Sequence, residues 1–132
     1  MTGHSLGGGL ACVAAAATNT PCVTFNPAGV HRKTLERAGV DPDGFREAAE
    51  NGLVRKYVVK GEILDRVNKL PLVPKAHGAE ISLEDPGKAW SFNKHSMTTM
   101  QRSMDAADLS RVSVPESALP HTDPRQAAMA TA

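Results

Sequence analysis

Aromatic side chains, paired cysteines, long apolar runs and an excess of one charge are all scarce or absent in this sequence. Aromatic residues make up only 4% of the chain, so the core must be built from Ala, Val, Leu and Met. The 15 basic and 14 acidic residues leave a net charge of +1, so no long-range field attracts nucleic acid. We therefore expect no nucleic-acid partner, and other partners must be inferred from sites.

The two cysteines, Cys12 and Cys22, lack both the C-x-x-C spacing and the paired histidines of a zinc site. They are expected to be reduced and buried. No apolar run reaches the roughly 18 residues that a membrane span needs, and no stretch has the pattern of a signal peptide. The sequence therefore predicts no metal and no cofactor, and a cytoplasmic location by default.

The beginning of the chain contains Gly3-x-Ser5-x-Gly7, the pattern of a strand-to-helix turn that exposes a nucleophilic serine. An apolar, alanine-rich helix is predicted to follow over 6–18. Only two residues precede the motif, so the strand that should lead into the turn is expected to be missing. A serine hydroxyl is a weak nucleophile by itself, so the chain must also supply a base and an acid.

Short strands and helices alternate along the rest of the chain. The strands are predicted at 22–25, 53–60 and 79–83, and the helices at 6–18, 31–38, 45–50 and after His95. Such alternation indicates an α/β fold with a parallel sheet and flanking helices, whose active groups collect at the carboxyl ends of strands. Residues 1–109 are predicted to form this domain, and 110–132 a disordered tail.

Two other patterns have simpler explanations than a binding site. Three methionines of the last helix, Met97, Met100 and Met104, share one helical face and are expected to fill core space rather than contact a cofactor. The glycines at 7–9 could suggest a phosphate-binding loop, but the Lys-Ser/Thr ending of such a loop is absent. They are expected to allow close approach of the helix to neighbouring strands and to a substrate.

Three positions follow the order serine, acid, histidine that is typical of α/β-hydrolases. Ser5 precedes the first helix, Glu62 follows the 53–60 strand, and His95 precedes the last helix. Asp65 lies one helical turn beyond Glu62 and is the alternative acid. In this mechanism His95 takes the proton of Ser5, the acid orients the imidazole, and the backbone N–H of Leu6 donates to the oxyanion.

The other histidines are weaker candidates for the base. His77 is the rival of His95, but it lies in a Pro-flanked loop, where a structural hydrogen bond is favoured. His31 and His121 have polar surroundings and are expected to be solvated. The sequence therefore favours His95.

The blocks around these positions resemble the class 3 lipases, the fungal-type triacylglycerol lipase and phospholipase A1 group of α/β-hydrolases. Gly-His-Ser-Leu-Gly-Gly-Gly-Leu-Ala at 3–11 is similar to the serine turn of that family, and Thr-Phe-Asn-Pro-Ala-Gly at 24–29 to its strand ending in Asn-Pro. The 58–64 block is similar to the one that carries the triad acid, with Glu62 in place of the usual Asp. His-Gly-Ala-Glu at 77–80 resembles its His-x-Gly-Glu segment, and His95 matches its catalytic histidine.

The resemblance covers most of 2–104 and only the C-terminal half of the family's domain. It implies a serine ester hydrolase with a lipid or ester substrate, and peripheral membrane contact through that substrate. A competing hypothesis is a catalytically inactive remnant or interaction fragment, which the missing leading strand favours. A sheet without its first strands would also expose an unpaired edge, which favours self-association.

Overall fold

Four short parallel strands form the centre of the fold in the computed structural model, which describes residues 1–61, 73–87 and 95–107. They lie side by side in chain order: β1 (Thr2–His4), β2 (Cys22–Phe25), β3 (Val54–Val59) and β4 (Ala79–Leu83). Every neighbouring pair is parallel. The predicted α/β fold with a parallel sheet and flanking helices is confirmed.

The helices occupy the segments between and after these strands. Those that the structure describes are α1 (Ser5–Thr18), α2 (Arg32–Arg37), α3 (Pro42–Ala48) and α4 (Met97–Ala106), and a turn at Ala49–Leu53, with Gly52 at a φ of 98°, joins α3 to β3. Helix α3 begins earlier than the predicted 45–50 because Asp41 caps it, with Oδ2 accepting from the Gly44 N–H at 2.8 Å, and a proline fits its first turn. The predicted tail at 110–132 lies outside the described residues.

Buried clusters lie on both faces of the sheet, because side chains alternate along each strand. Cys22 and Val54, opposite each other in the β2–β3 register, belong to a cluster completed by α1, α2 and α3. Val59 and Leu83, opposite each other in the β3–β4 register, pack with Met100 of α4 on the other face. The sheet is therefore covered on both sides, and α4 is held on the face away from α1.

The two cysteines are both free thiols within the larger cluster, as predicted. Burial, together with the neighbouring Cys22, raises the pKa of the Cys12 thiol to about 12. Both thiols therefore act as small apolar side chains between α1 and β2.

The strand leading into Ser5 is present, contrary to the expectation. Thr2–His4 pairs with β2 so that Thr2 lies opposite Val23 and His4 opposite Phe25. The Val23 N–H also donates to the Met1 carbonyl at 2.8 Å. Three residues are enough because β2 provides their hydrogen-bond partners and α1 begins at the next residue.

The predicted methionine face is only partly right. Met100 is buried and Met104 packs against the same cluster, but Met97, in the first turn of α4, is 47% exposed. Among the helices that the structure describes, none combines the length and the apolar character needed to cross a membrane.

Candidate active site

Ser5 lies at the sharp turn between β1 and α1. Its φ of 55° is in the left-handed region, which is strained for a residue with a side chain. A Cβ on Gly3 would collide with the carbonyl group of Gly7, so a glycine is required for the helix to begin directly over the strand. The local sequence thus builds the predicted turn, with the serine at its apex.

The hydroxyl of Ser5 meets the imidazole of His95. The distance from Ser5 Oγ to His95 Nε2 is 2.7 Å, and both residues are half-buried. His95 directly precedes Ser96, whose hydroxyl caps α4 by accepting from the Thr99 N–H at 3.2 Å. The structure therefore brings together two of the predicted site residues, 90 positions apart in sequence, with the geometry of a nucleophile and its base.

The turn that follows β2 contacts the strand-to-helix turn at 3–7, here called the serine turn. The Ala28 N–H donates to the Ser5 carbonyl at 2.9 Å. A Cβ on Gly8 would lie 3.0 Å from the Pro27 Cβ, and one on Gly9 would lie 3.0 Å from the Ala28 carbonyl oxygen. The predicted need for small residues is therefore met at two of the three positions, where α1 packs closely on this turn.

The other side of the first turn of α1 is open and apolar. A Cβ on Gly7 would meet no atom of the described residues within 4 Å, so Gly7 does not pack closely on a described strand, and its close approach to a substrate stays a prediction. Leu6 is 70% exposed and Leu10, one turn further on the same face, 62%. An apolar surface thus begins at the residue after Ser5.

The backbone N–H of Leu6 is the predicted oxyanion donor. It belongs to the first turn of α1, whose N–H groups find no acceptor within the helix. The positive end of the helix dipole lies at the same place. A free N–H at a helix start is the kind of group that can donate to an anion held there.

His4 makes a second contact with His95 that the sequence did not predict. His4 Nε2 lies 2.7 Å from the carbonyl oxygen of His95, and the ring centroids of the two histidines are 4.9 Å apart. A contact between a side chain and a main-chain oxygen 91 positions away has no sequence pattern by which it could be recognised.

Asn26 also has a role that the sequence indicated only through the Asn-Pro pair. Its backbone N–H donates to the Tyr57 carbonyl at 2.8 Å, and its side-chain Oδ1 accepts from the buried Val59 N–H at 2.9 Å. Its φ of 41° turns the chain away from the sheet. Asn26 therefore fixes the turn on which the serine turn rests.

The two candidate acids, Glu62 and Asp65, lie outside the described residues. The rival base His77 packs edge-on against Phe45, with ring centroids 5.3 Å apart. Burial, and then the nearby Lys56, lower the pKa of His77. His31 accepts from the Lys33 N–H through Nδ1 and caps α2, so it is a structural residue rather than only a solvated one.

The side chains that the structure describes do not form a metal site. Within 1–61, 73–87 and 95–107, no three His, Cys, Asp or Glu side chains lie close enough together to hold a metal ion. Among the described groups at the serine turn are the Ser5 hydroxyl, the His95 imidazole and the backbone N–H groups that begin α1.

Comparison with known proteins relates the chain to phospholipases. Residues 1–115 match the family model of the Tle-like phospholipase domain. The chain is also 39% identical over 118 residues to the extracellular phospholipase A1 of Serratia liquefaciens; the match covers 85% of this chain and 36% of the relative. The chain thus spans about a third of that protein's length. With its serine turn, parallel sheet and these matches, the chain belongs to the phospholipase-like family of Tle-like phospholipase domains.

Proposed function

We propose that this chain carries the nucleophile and the base of a serine hydrolase that cleaves carboxylic esters of lipids. The observation that carries the proposal is the 2.7 Å contact between Ser5 Oγ and His95 Nε2 at a strained strand-to-helix turn. Family membership and the relative named a phospholipase A1 support a lipid ester as the substrate. The finer assignment to the class 3 lipase group rests on the sequence blocks described above.

The reaction would proceed in two steps. Ser5 Oγ bonds to the ester carbonyl carbon while its proton passes to His95 Nε2, and the carbonyl oxygen becomes an oxyanion. When this intermediate collapses, the bond to the alcohol oxygen breaks and His95 returns the proton to the leaving alcohol. Water then loses a proton to His95 and attacks the acyl carbon. The bond from that carbon to Ser5 Oγ breaks, His95 returns the proton to Oγ, and the fatty acid is released.

The remaining roles are proposals of the same mechanism. Glu62, with Asp65 as the alternative, would accept from His95 Nδ1 and stabilise the imidazolium that forms. The N–H of Leu6 would stabilise the oxyanion. A second oxyanion donor from another loop is expected in this class of enzyme.

The exposed leucines beside the nucleophile support an apolar acyl group on the substrate. Leu6 follows Ser5 directly, and Leu10 extends the same face of α1. An acyl chain lying along this face would bury apolar area beside the reacting ester, whereas a polar ester would gain nothing there. This favours long-chain esters, including phospholipids, over short soluble ones.

The test is ester hydrolysis by the natural polypeptide that carries this chain. We expect release of p-nitrophenol from p-nitrophenyl esters and of fatty acid from phospholipid vesicles. Ser5→Ala should lower kcat by at least roughly 10³-fold, because the covalent step is lost. Ser82→Ala is the matched control, since that hydroxyl lies on β4 and contacts only Glu80 among the described partners. Full activity in Ser5→Ala would disprove the assignment.

The acid is identified by a second pair of variants. Glu62→Gln and Asp65→Asn each remove one charge with little change in shape. The variant that removes the true triad acid should lower kcat about 10⁴-fold. Equal, small losses in both would place the acid elsewhere. A wild-type polypeptide with no hydrolase activity on any ester would instead favour the alternative of an inactive remnant or interaction domain.

A further inference from the structure

His4 and Ser5, which are consecutive in sequence, contact the same residue at two different points. Ser5 Oγ lies 2.7 Å from the side-chain Nε2 of His95, and His4 Nε2 lies 2.7 Å from its main-chain oxygen. A carbonyl oxygen can only accept, so Nε2 of His4 carries the proton and donates. Together the two contacts fix both the backbone position and the ring orientation of His95.

The side chain of His4 does not cap α1, although His4 occupies the N-cap position. His4 is the N-cap residue of α1, where short polar side chains usually accept from the first helical N–H groups. Its side chain makes no such cap hydrogen bond. It is directed instead across the site to the segment that begins α4.

The proposed role of His95 requires its position relative to Ser5 to be fixed. His95 belongs to neither the sheet nor α4, which begins two residues later. A general base must stay within hydrogen-bond reach of the group whose proton it removes, and a displacement of about 1 Å can lower the rate roughly 100-fold. The hydrogen bond from His4 ties His95 to the end of β1, the same strand end that sets the position of Ser5.

We propose that His4 is a positioning residue, which holds His95 by its carbonyl oxygen at the distance from Ser5 that proton transfer needs. The proposal rests on the function proposed above, in which His95 is the base. His4 does not touch the substrate in this role, so its loss should affect proton transfer and not substrate binding.

Two variants separate the hydrogen bond from the ring contact. His4→Phe keeps a flat ring beside His95 but removes the donor, and His4→Gln removes the ring but keeps an N–H donor at a similar reach. We expect His4→Phe to lower kcat by about 10- to 100-fold with KM changed less than about threefold. His4→Gln should recover most of kcat. Labelling of Ser5 by a fluorophosphonate should follow the same order.

Thermal unfolding of each variant shows whether the fold is intact. Wild-type kcat in His4→Phe would overturn the proposal, and so would a His4→Gln that unfolds normally but is as slow as His4→Phe. If His4→Phe does not fold, ¹⁵N-histidine spectra of the wild type decide. A His4 Nε2–H that is protected from exchange supports the proposal, and an Nε2 without a proton overturns it.

The outcomes also separate this proposal from the proposed function. An active Ser5→Ala variant would remove the proposed function, and the positioning role with it. An inactive Ser5→Ala variant together with a fully active His4→Phe would remove only the positioning role. His31→Phe is the matched histidine control, because His31 caps α2 and lies outside the site.

Discussion

Asn26 Oδ1 accepts a hydrogen bond from the backbone N–H of Val59, at 2.9 Å in a fully buried setting. The side-chain amide thus takes the place of a main-chain acceptor where β2 ends beside β3. The chain can then leave the sheet at this residue and pass beneath Ser5. The position of Ser5 therefore depends on a side chain that has no part in the proposed chemistry.

Asn26→Ala should lower the free energy of unfolding by about 2–4 kcal/mol. Leaving the Val59 N–H buried without its acceptor costs about 1–3 kcal/mol, and an alanine at a left-handed φ adds about 1 kcal/mol. Asn19→Ala is the control, because Asn19 has a similar φ of 49° but an exposed side chain. Urea denaturation should show a loss of only about 1 kcal/mol for the control. Equal losses in the two variants would contradict the role of the amide.

Gly3→Ala and Gly7→Ala should have opposite effects on stability. A Cβ at Gly3 would collide with backbone atoms of the first turn of α1, whereas one at Gly7 would meet no atom of the described part of the chain within 4 Å. Alanine within a helix is favoured over glycine by about 0.5–1 kcal/mol, so Gly7→Ala should raise Tm. Gly3→Ala should lower Tm and the rate of Ser5 labelling. Calorimetry that ranks the two variants in the reverse order would refute this account of the turn.

Arg102→Met should weaken the attachment of α4 to the sheet. The carboxylate of Asp85, just after β4, is only 1% exposed and accepts from Arg102 at 2.6 Å and from the Gly87 N–H at 3.0 Å. Without the guanidinium, the buried carboxylate of Asp85 accepts from weaker donors. The free energy of unfolding should therefore fall by about 1.5–3 kcal/mol.

Arg32→Met is the matched control for Arg102→Met. The Arg32–Asp43 pair is more than half exposed on both sides, so its loss should change the unfolding free energy far less than the loss of Arg102 does. Chemical denaturation of both variants is the measurement. A larger loss in the control than in Arg102→Met would contradict the importance of the Asp85 contact.

His77 should make the fold less stable in acid. Burial, and then Lys56, lower its pKa in the folded state, while the unfolded chain titrates near 6.5. As pH falls below about 6.5 the unfolded state binds the proton first, so stability falls with pH until the folded group is protonated as well. His77→Gln should flatten this part of the stability curve, measured by urea denaturation between pH 7.5 and 5. An unchanged slope would show that His77 does not contribute.

The sequence was most informative where local chemistry decides the structure. The limits of β2 and β4 are the predicted ones, and Ser5 lies at the predicted strand-to-helix turn. The pairing of Ser5 with His95 followed from their order in the chain and from the rule that strand ends gather active groups. These features depend on short patterns, and short patterns can be read from one sequence.

Features that depend on packing could not be predicted in this way. Gly7 and Gly8 are neighbours in sequence, yet within the described part of the chain only Gly8 of the two packs tightly, because it alone meets the turn after β2. The acceptor in the contact between His4 and His95 is a main-chain oxygen, which every residue carries, so the sequence does not mark it. The choice between Glu62 and Asp65 stays a prediction.

The long separation of Ser5 and His95 along the chain has a kinetic consequence. The entropy of loop closure rises with separation, so a contact across 90 residues forms readily only after the intervening strands have paired. Secondary structure should therefore return early in refolding, while Ser5 becomes reactive only when α4 docks. A fluorophosphonate that labels refolding chains at timed intervals would lag behind far-ultraviolet circular dichroism, and reactivity at this serine would report completion of the native state.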